Sequence, residues 1–225
     1  MNENYFIICA QIIVYWLKDI FYFNVCSYCK KSIENRDKQY FLLCNICIDS
    51  ISYLSPVKHK KTDFLVYALG KYDGVLRYVV TEKYRKRSIG YYVLEKKIIE
   101  MLDVFNIQFD YVLPVPKTAI NTLKHQLNQT AIIAEIITKH YKKIIFNDIY
   151  TKENKQDQAG KRFSERIMMH NDIFFVPESK KLLLSRKKIL IIDDVYTTGM
   201  TIDAVLHAVS KIDYESIVIL VLARK

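Results

Sequence analysis

One segment near the end of the chain restricts the fold more than any other. Ile189-Leu190-Ile191-Ile192 is an unbroken aliphatic run. A run with no polar alternation is expected of a strand buried on both faces. It ends on two adjacent acids, Asp193 and Asp194, followed by Val195-Tyr196-Thr197-Thr198-Gly199-Met200-Thr201. From Thr201 to Val209 the spacing predicts a helix. Two neighbouring acids at a buried strand end are costly unless a ligand or partner groups satisfy them. The loop after them has the chemistry of an anion cradle. Backbone N–H groups at a helix start face an anion without needing a lysine. Gly199 permits a left-handed backbone and close approach. The hydroxyls of Thr197, Thr198 and Thr201 add donors, and Asp193 and Asp194 can accept from two vicinal ribose hydroxyls. The segment therefore reads as a site for a sugar phosphate.

The preceding pattern supplies a sheet for that strand. Phe64–Leu69 reads as a strand, 70–74 as a turn, and Val75–Tyr84 as a helix with apolar residues at Leu76, Val79, Val80 and Tyr84. Ile89–Phe105 reads as a second amphipathic helix. Tyr111-Val112-Leu113 is a short strand ending at Pro114-Val115-Pro116. A helix carrying Ile132, Ile133, Ile136 and Ile137 on one face follows. Ile144–Phe146, Ile173–Val176 and Ile217–Leu222 complete the expected strands, and 154–161 is a polar stretch. Strands alternating with helices predict a parallel sheet covered on both sides, with ligands beyond the strands' carboxyl ends.

Composition agrees. The chain has 225 residues, 51% hydrophobic and 26% charged, with 5 Gly and 4 Pro. That excludes a disordered or collagen-like chain and suits one medium domain with a small appendage. A formal charge of +10 favours anionic partners. The run Lys58-His59-Lys60-Lys61 reads as a solvated linker or a nucleic-acid patch.

Four of five cysteines form two pairs, Cys26-Ser27-Tyr28-Cys29 and Cys44-Asn45-Ile46-Cys47. Each pair can wrap one side of a tetrahedral zinc ion, and the intervening loop brings the second pair round. Two disulfides or two redox pairs are the alternatives. Four thiolates leave no open coordination position, so such a zinc is structural. Cys9 reads as a small core hydrophobe. The expected division is 1–57, an N-terminal helix and four-cysteine zinc ribbon, and 58–225, the sheet domain.

Tyr5–Leu17 is an apolar run broken by Gln11 and stopped at Lys18-Asp19. A spanning helix needs about 20 apolar residues. No basic residue precedes the run, as a signal peptide would require. The run reads as an amphipathic helix on its own protein, with interfacial membrane contact and a true span as alternatives, and the chain is placed in the cytoplasm.

The segment from Ile189 to Thr201 resembles the phosphoribosyl-pyrophosphate (PRPP) motif of type I phosphoribosyltransferases. With the four-cysteine module before it, the chain resembles ComF-type competence proteins along essentially its whole length. Lys83-Tyr84 and Pro114-Val115-Pro116 match further family patterns. Asn128, Gln129, Gln158, Glu165, Arg166 and Phe174 match others, while His125 and Met169 depart from them. The resemblance implies a type I phosphoribosyltransferase-like α/β fold behind a zinc ribbon. It implies PRPP contact by Asp193 to Thr201, and pyrophosphate contact at Val115, Pro116 and Lys117. Magnesium would enter with PRPP.

The resemblance also implies a role in DNA uptake during natural transformation, with uptake machinery at the inner membrane as a further partner. Lys83, Arg85, Lys86 and Arg87, among the tyrosines of Tyr78–Tyr92, have a composition that suits single-stranded DNA. A solvated helix face with its tyrosines packed inside is the equal alternative. Threonine at 197, where 6-oxopurine enzymes of this class carry aspartate, argues against that salvage activity. An active phosphoribosyltransferase of unknown acceptor and a PRPP-sensing regulator stay open beside the binding protein.

Overall fold

A computed structural model describes residues 25–33, 43–82, 94–116, 128–151 and 173–225. Its centre is a six-stranded sheet. The strands are β1 (Leu54–Lys58), β2 (Leu65–Lys71), β3 (Tyr111–Pro114), β4 (Ile144–Ile145), β7 (Lys188–Tyr196) and β8 (Ser216–Arg224), in the order β1-β2-β8-β7-β3-β4. All neighbours are parallel except β1, which runs antiparallel to β2 at the edge. A separate ribbon pairs β5 (Tyr150–Thr151) with β6 (Phe174–Phe175). The expected α/β fold with a mostly parallel sheet is thus present.

Alternation along the central strands explains the layers. Successive strand side chains point to opposite faces. Leu190, Ile192, Leu220 and Leu222 therefore join one core, and Ile189, Ile191, Ile217, Ile219 and Val221 the other. The first core is covered by α2 (Gly74–Glu82), α3 (Glu95–Val104) and α4 (Gln129–Tyr141). The second is covered by α6 (Met200–Val209) and by Leu184 of α5 (Glu178–Leu184). Both faces of β7 are dry, which accounts for its run without polar residues.

Several elements differ from the pattern reading. β7 continues through Asp193 and Asp194 to Tyr196, leaving only 197–199 as loop. Backbone pairing with β8 extends to Tyr196↔Arg224, and it carries the acids along despite their polarity. Residues 150–151 and α5 had no clear periodic signal, being only two and seven residues long. The basic run leads into the connection of the β1–β2 hairpin: Lys58 ends β1, residues 59–61 follow, and the His59 N–H donates to the Phe64 carbonyl at 2.8 Å. The division expected after residue 57 falls inside β1, which belongs to the main sheet. Among the described residues no helix is long and apolar enough to cross a membrane. The apolar run at 5–17, Cys9 and the polar stretch at 154–161 lie outside the described residues.

The cysteine segment packs on the sheet domain. Short α1 (Asn45–Asp49) begins just after Cys44. Cys26, Leu43, Cys44, Cys47 and Ile51 share one core with Leu69 of β2 and with Val75, Leu76 and Val79 of α2. The Tyr28 and Tyr78 rings lie 5.6 Å apart across this contact. The approach is close at Gly70, where an added side chain would make Leu76 shift. A Cβ there would sit 2.6 Å from Leu76 Cδ1 and 3.3 Å from the Ser52 carbonyl oxygen.

Candidate functional site

Two chemically distinct centres stand out among the described residues. In the first, the sulfurs of Cys26, Cys29, Cys44 and Cys47 all lie within 4.8 Å of one another. The Cys26 and Cys47 sulfurs are 3.7 Å apart, as are those of Cys29 and Cys44. With zinc–sulfur bonds of about 2.3 Å, a regular tetrahedron has sulfur–sulfur edges of about 3.8 Å. The donor set and its spacing thus fit a four-thiolate zinc, and all four cysteines are free thiols.

Local structure also prepares the ligands electrostatically. Burial acts to raise the Cys26 thiol. Backbone groups of Cys29, Cys44 and Tyr28 outweigh it and hold the thiol down at about 6. Burial pushes Cys47 upward, and the surrounding sulfurs push it the same way.

The second centre lies at the carboxyl end of β7. Asp193 is buried and its Oδ1 accepts the Asp194 N–H at 2.8 Å, whereas Asp194 is only half-buried. Beyond Tyr196 the chain turns through exposed Thr197 and Thr198 to Gly199, whose φ of 85° lies in the left-handed region. Gly199 then starts α6, its carbonyl accepting the Asp203 N–H at 2.8 Å. The Thr198 hydroxyl lies 3.5 Å from the Met200 N–H. Thr201 is exposed in the first helical turn.

The end of β3 lies beside these acids. Pro114 pairs with Ile192, and the Val115 N–H donates to the Ile192 carbonyl at 2.9 Å. The Thr130 hydroxyl lies 2.7 Å from the Val115 carbonyl and 2.7 Å from Asn128 Oδ1, tying this bend to the start of α4. Val115 therefore spends its amide inside the sheet, and Pro116 has none to give. Lys117 and the residues after it, to 127, lie outside the described residues. Lys83, Arg85, Lys86, Arg87, His125, Gln158, Glu165, Arg166 and Met169 also lie outside them.

Pattern reading missed the support behind the loop. His59 is only 2% exposed. Its Nδ1 lies 2.9 Å from the Tyr196 hydroxyl and its Nε2 lies 2.8 Å from Asp203 Oδ1. Lys61 Nζ lies 2.7 Å from Asp203 Oδ2. A histidine among three lysines carries the signature of exposure, so no local signal marks it as interior. Burial raises the Tyr196 phenol, opposed by the Lys60 backbone and reinforced by the Asp203 charge.

A family model described as phosphoribosyl transferase domain matches residues 91–225, which begin after the cysteine segment. No protein with a curated description matches the chain. Among solved structures, one similar chain is an adenine phosphoribosyltransferase from Saccharomyces cerevisiae. It has 10% identity and a TM-score of 0.38, with 78% of this chain and 88% of that chain covered. A purine phosphoribosyltransferase from Pyrococcus horikoshii has 16% identity and a TM-score of 0.37, covering 66% and 85% respectively. A hypothetical protein from Neisseria gonorrhoeae with bound ppGpp has 15% identity and a TM-score of 0.36, covering 62% and 69%.

Proposed function

This chain belongs to the phosphoribosyl transferase domain family, and from that premise we propose that it binds PRPP, or a related sugar phosphate, at the end of β7. One observation carries the reading: two acids and a left-handed, hydroxyl-rich turn stand at the carboxyl end of a central parallel strand. Amides of 198–200 and the hydroxyls of Thr197, Thr198 and Thr201 donate to the ester phosphate. Asp194, the more open acid, and Asp193 behind it accept from the ribose diol. Val115, Pro116 and Lys117 mark the segment that takes the pyrophosphate. Magnesium entering with PRPP would supply charge neutralisation on the pyrophosphate. Zinc in the four-thiolate site holds the cysteine segment folded and takes no part in chemistry.

The finer identity is that of a ComF-type protein acting in DNA uptake, which also binds single-stranded DNA through Lys83, Arg85, Lys86 and Arg87. A cysteine segment packed in front of the family domain, together with the +10 charge, supports that reading. Titration with PRPP and magnesium, with and without a DNA oligonucleotide, tests both ligands and their coupling. Uptake of PRPP in the micromolar to low millimolar range is the expected result. No uptake at millimolar supply would remove the proposal.

A second reading is an active transferase, favoured by the β3 bend and the β7 acids lying side by side. In it the enzyme would hold both ends of PRPP while a nitrogen nucleophile displaces pyrophosphate at the anomeric carbon. Pyrophosphate release against a panel of bases and amines distinguishes the two.

A further inference from the structure

The turn of the β1–β2 hairpin reaches the loop that follows β7. The His59 ring lies against Gly199, so that a Cβ on the glycine would be 2.8 Å from His59 Cε1 and 2.9 Å from the Tyr196 hydroxyl. An ionised Asp203 carboxylate only accepts, so the His59 Nε2–H donates to Asp203 Oδ1. The other ring nitrogen, Nδ1, is hydrogen-bonded to the Tyr196 hydroxyl, whose proton burial helps to retain. Lys61 Nζ donates to Asp203 Oδ2. Both carboxylate oxygens and both ring nitrogens are thereby engaged, and the chain of bonds joins loop, helix and hairpin.

Asp203 gives this arrangement a purpose. It sits in the first turn of α6, the helix whose amino end faces the proposed phosphate. A carboxylate there stabilises the empty helix end but repels a second anion. Lys61, on the exposed side, offsets that charge at 2.7 Å.

We propose that His59 and Lys61 form a clamp on the anion loop, His59 positioning the turn around Gly199 and Lys61 cancelling the Asp203 charge so that a phosphate can enter. This rests on the reading of the loop as a sugar-phosphate site. Neither residue touches the ligand; both are positioning residues, acting through Gly199, Tyr196 and Asp203.

Two measurements on the full chain test it. Calorimetric titration with PRPP and magnesium compares the parent with Lys61→Ala, Lys61→Arg and the double variant Lys61→Ala/Asp203→Asn. Lys61→Ala is expected to weaken binding about fivefold, the scale of one charge pair near a surface. Lys61→Arg should restore it, and so should the double variant, since the uncancelled charge is then gone. Unchanged affinity in Lys61→Ala overturns the charge role. Failure of the double variant to recover also overturns it, because Lys61 would then act on the ligand directly. Hydrogen exchange over residues 197–203 needs no ligand. It should quicken in His59→Phe and in Tyr196→Phe, and His59→Gln should partly restore the slow rate. The second variant keeps the aromatic ring should the first fail to fold. Unaltered exchange in folded Tyr196→Phe overturns the positioning role. A parent protein that takes up no PRPP removes the functional reading alone, while exchange still decides on the clamp.

Discussion

Gly199 carries two constraints at once. Its φ of 85° disfavours any side chain, and the His59 and Tyr196 atoms occupy the space a Cβ would need. Left-handed strain costs about 1–3 kcal/mol before the clash is counted. Gly199→Ala is therefore expected to lower the melting temperature by several degrees and to weaken PRPP binding at least tenfold, read by calorimetry. The two acids differ in the same way. Asp193 is buried and holds the Asp194 amide. Asp193→Asn should cost stability as well as affinity, about 1–2 kcal/mol for a disturbed buried hydrogen bond. Asp194→Asn should weaken PRPP binding with an unchanged melting temperature, and equal behaviour of the two would contradict this division. At this scale the motif was legible because its chemistry is contiguous. His59 was not, because its partners Tyr196 and Asp203 lie 137 and 144 residues away in sequence.

At the level of elements, the cysteine segment and α2 form one packed unit. Cys44→Ser should lose zinc, by elemental analysis, and should speed hydrogen exchange in α2 as well as in residues 25–51, because Cys26, Cys44 and Cys47 share a core with Val75, Leu76 and Val79. A variant that loses metal while α2 stays fully protected would show the segment to be independent. Zinc affinity should depend on pH in a definite direction. Burial and its neighbouring sulfurs hold Cys47 protonated well above neutrality, whereas Cys26 has ionised by about 6. Loading the metal must expel at least the Cys47 proton, and each proton displaced tightens binding about tenfold per pH unit. Chelator competition should therefore show zinc held at least about 100-fold more tightly at pH 8 than at pH 6. Long buried elements such as β7, β8 and α4 were readable from periodicity. β5 and α5 were not, being two and seven residues long, too short for a period to show. The length of β7 was understated because polarity suggested a stop at Asp193, whereas pairing with β8 continues.

For the whole molecule, charge and topology set the remaining expectations. If the +10 balance serves a nucleic acid, affinity for a single-stranded oligonucleotide should fall steeply with salt, since each neutralised phosphate releases counterion. Binding indifferent to salt between about 50 and 200 mM would separate this protein from that role. The order β1-β2-β8-β7-β3-β4 puts β8 between β2 and β7. Residues 216–224 are therefore the seam of the sheet: until a ribosome has delivered them, the described strands on its two sides, β1-β2 and β7-β3-β4, share no backbone pairing. Up to that moment a nascent chain must keep two raw edges apart, which makes it a natural client for a holding chaperone.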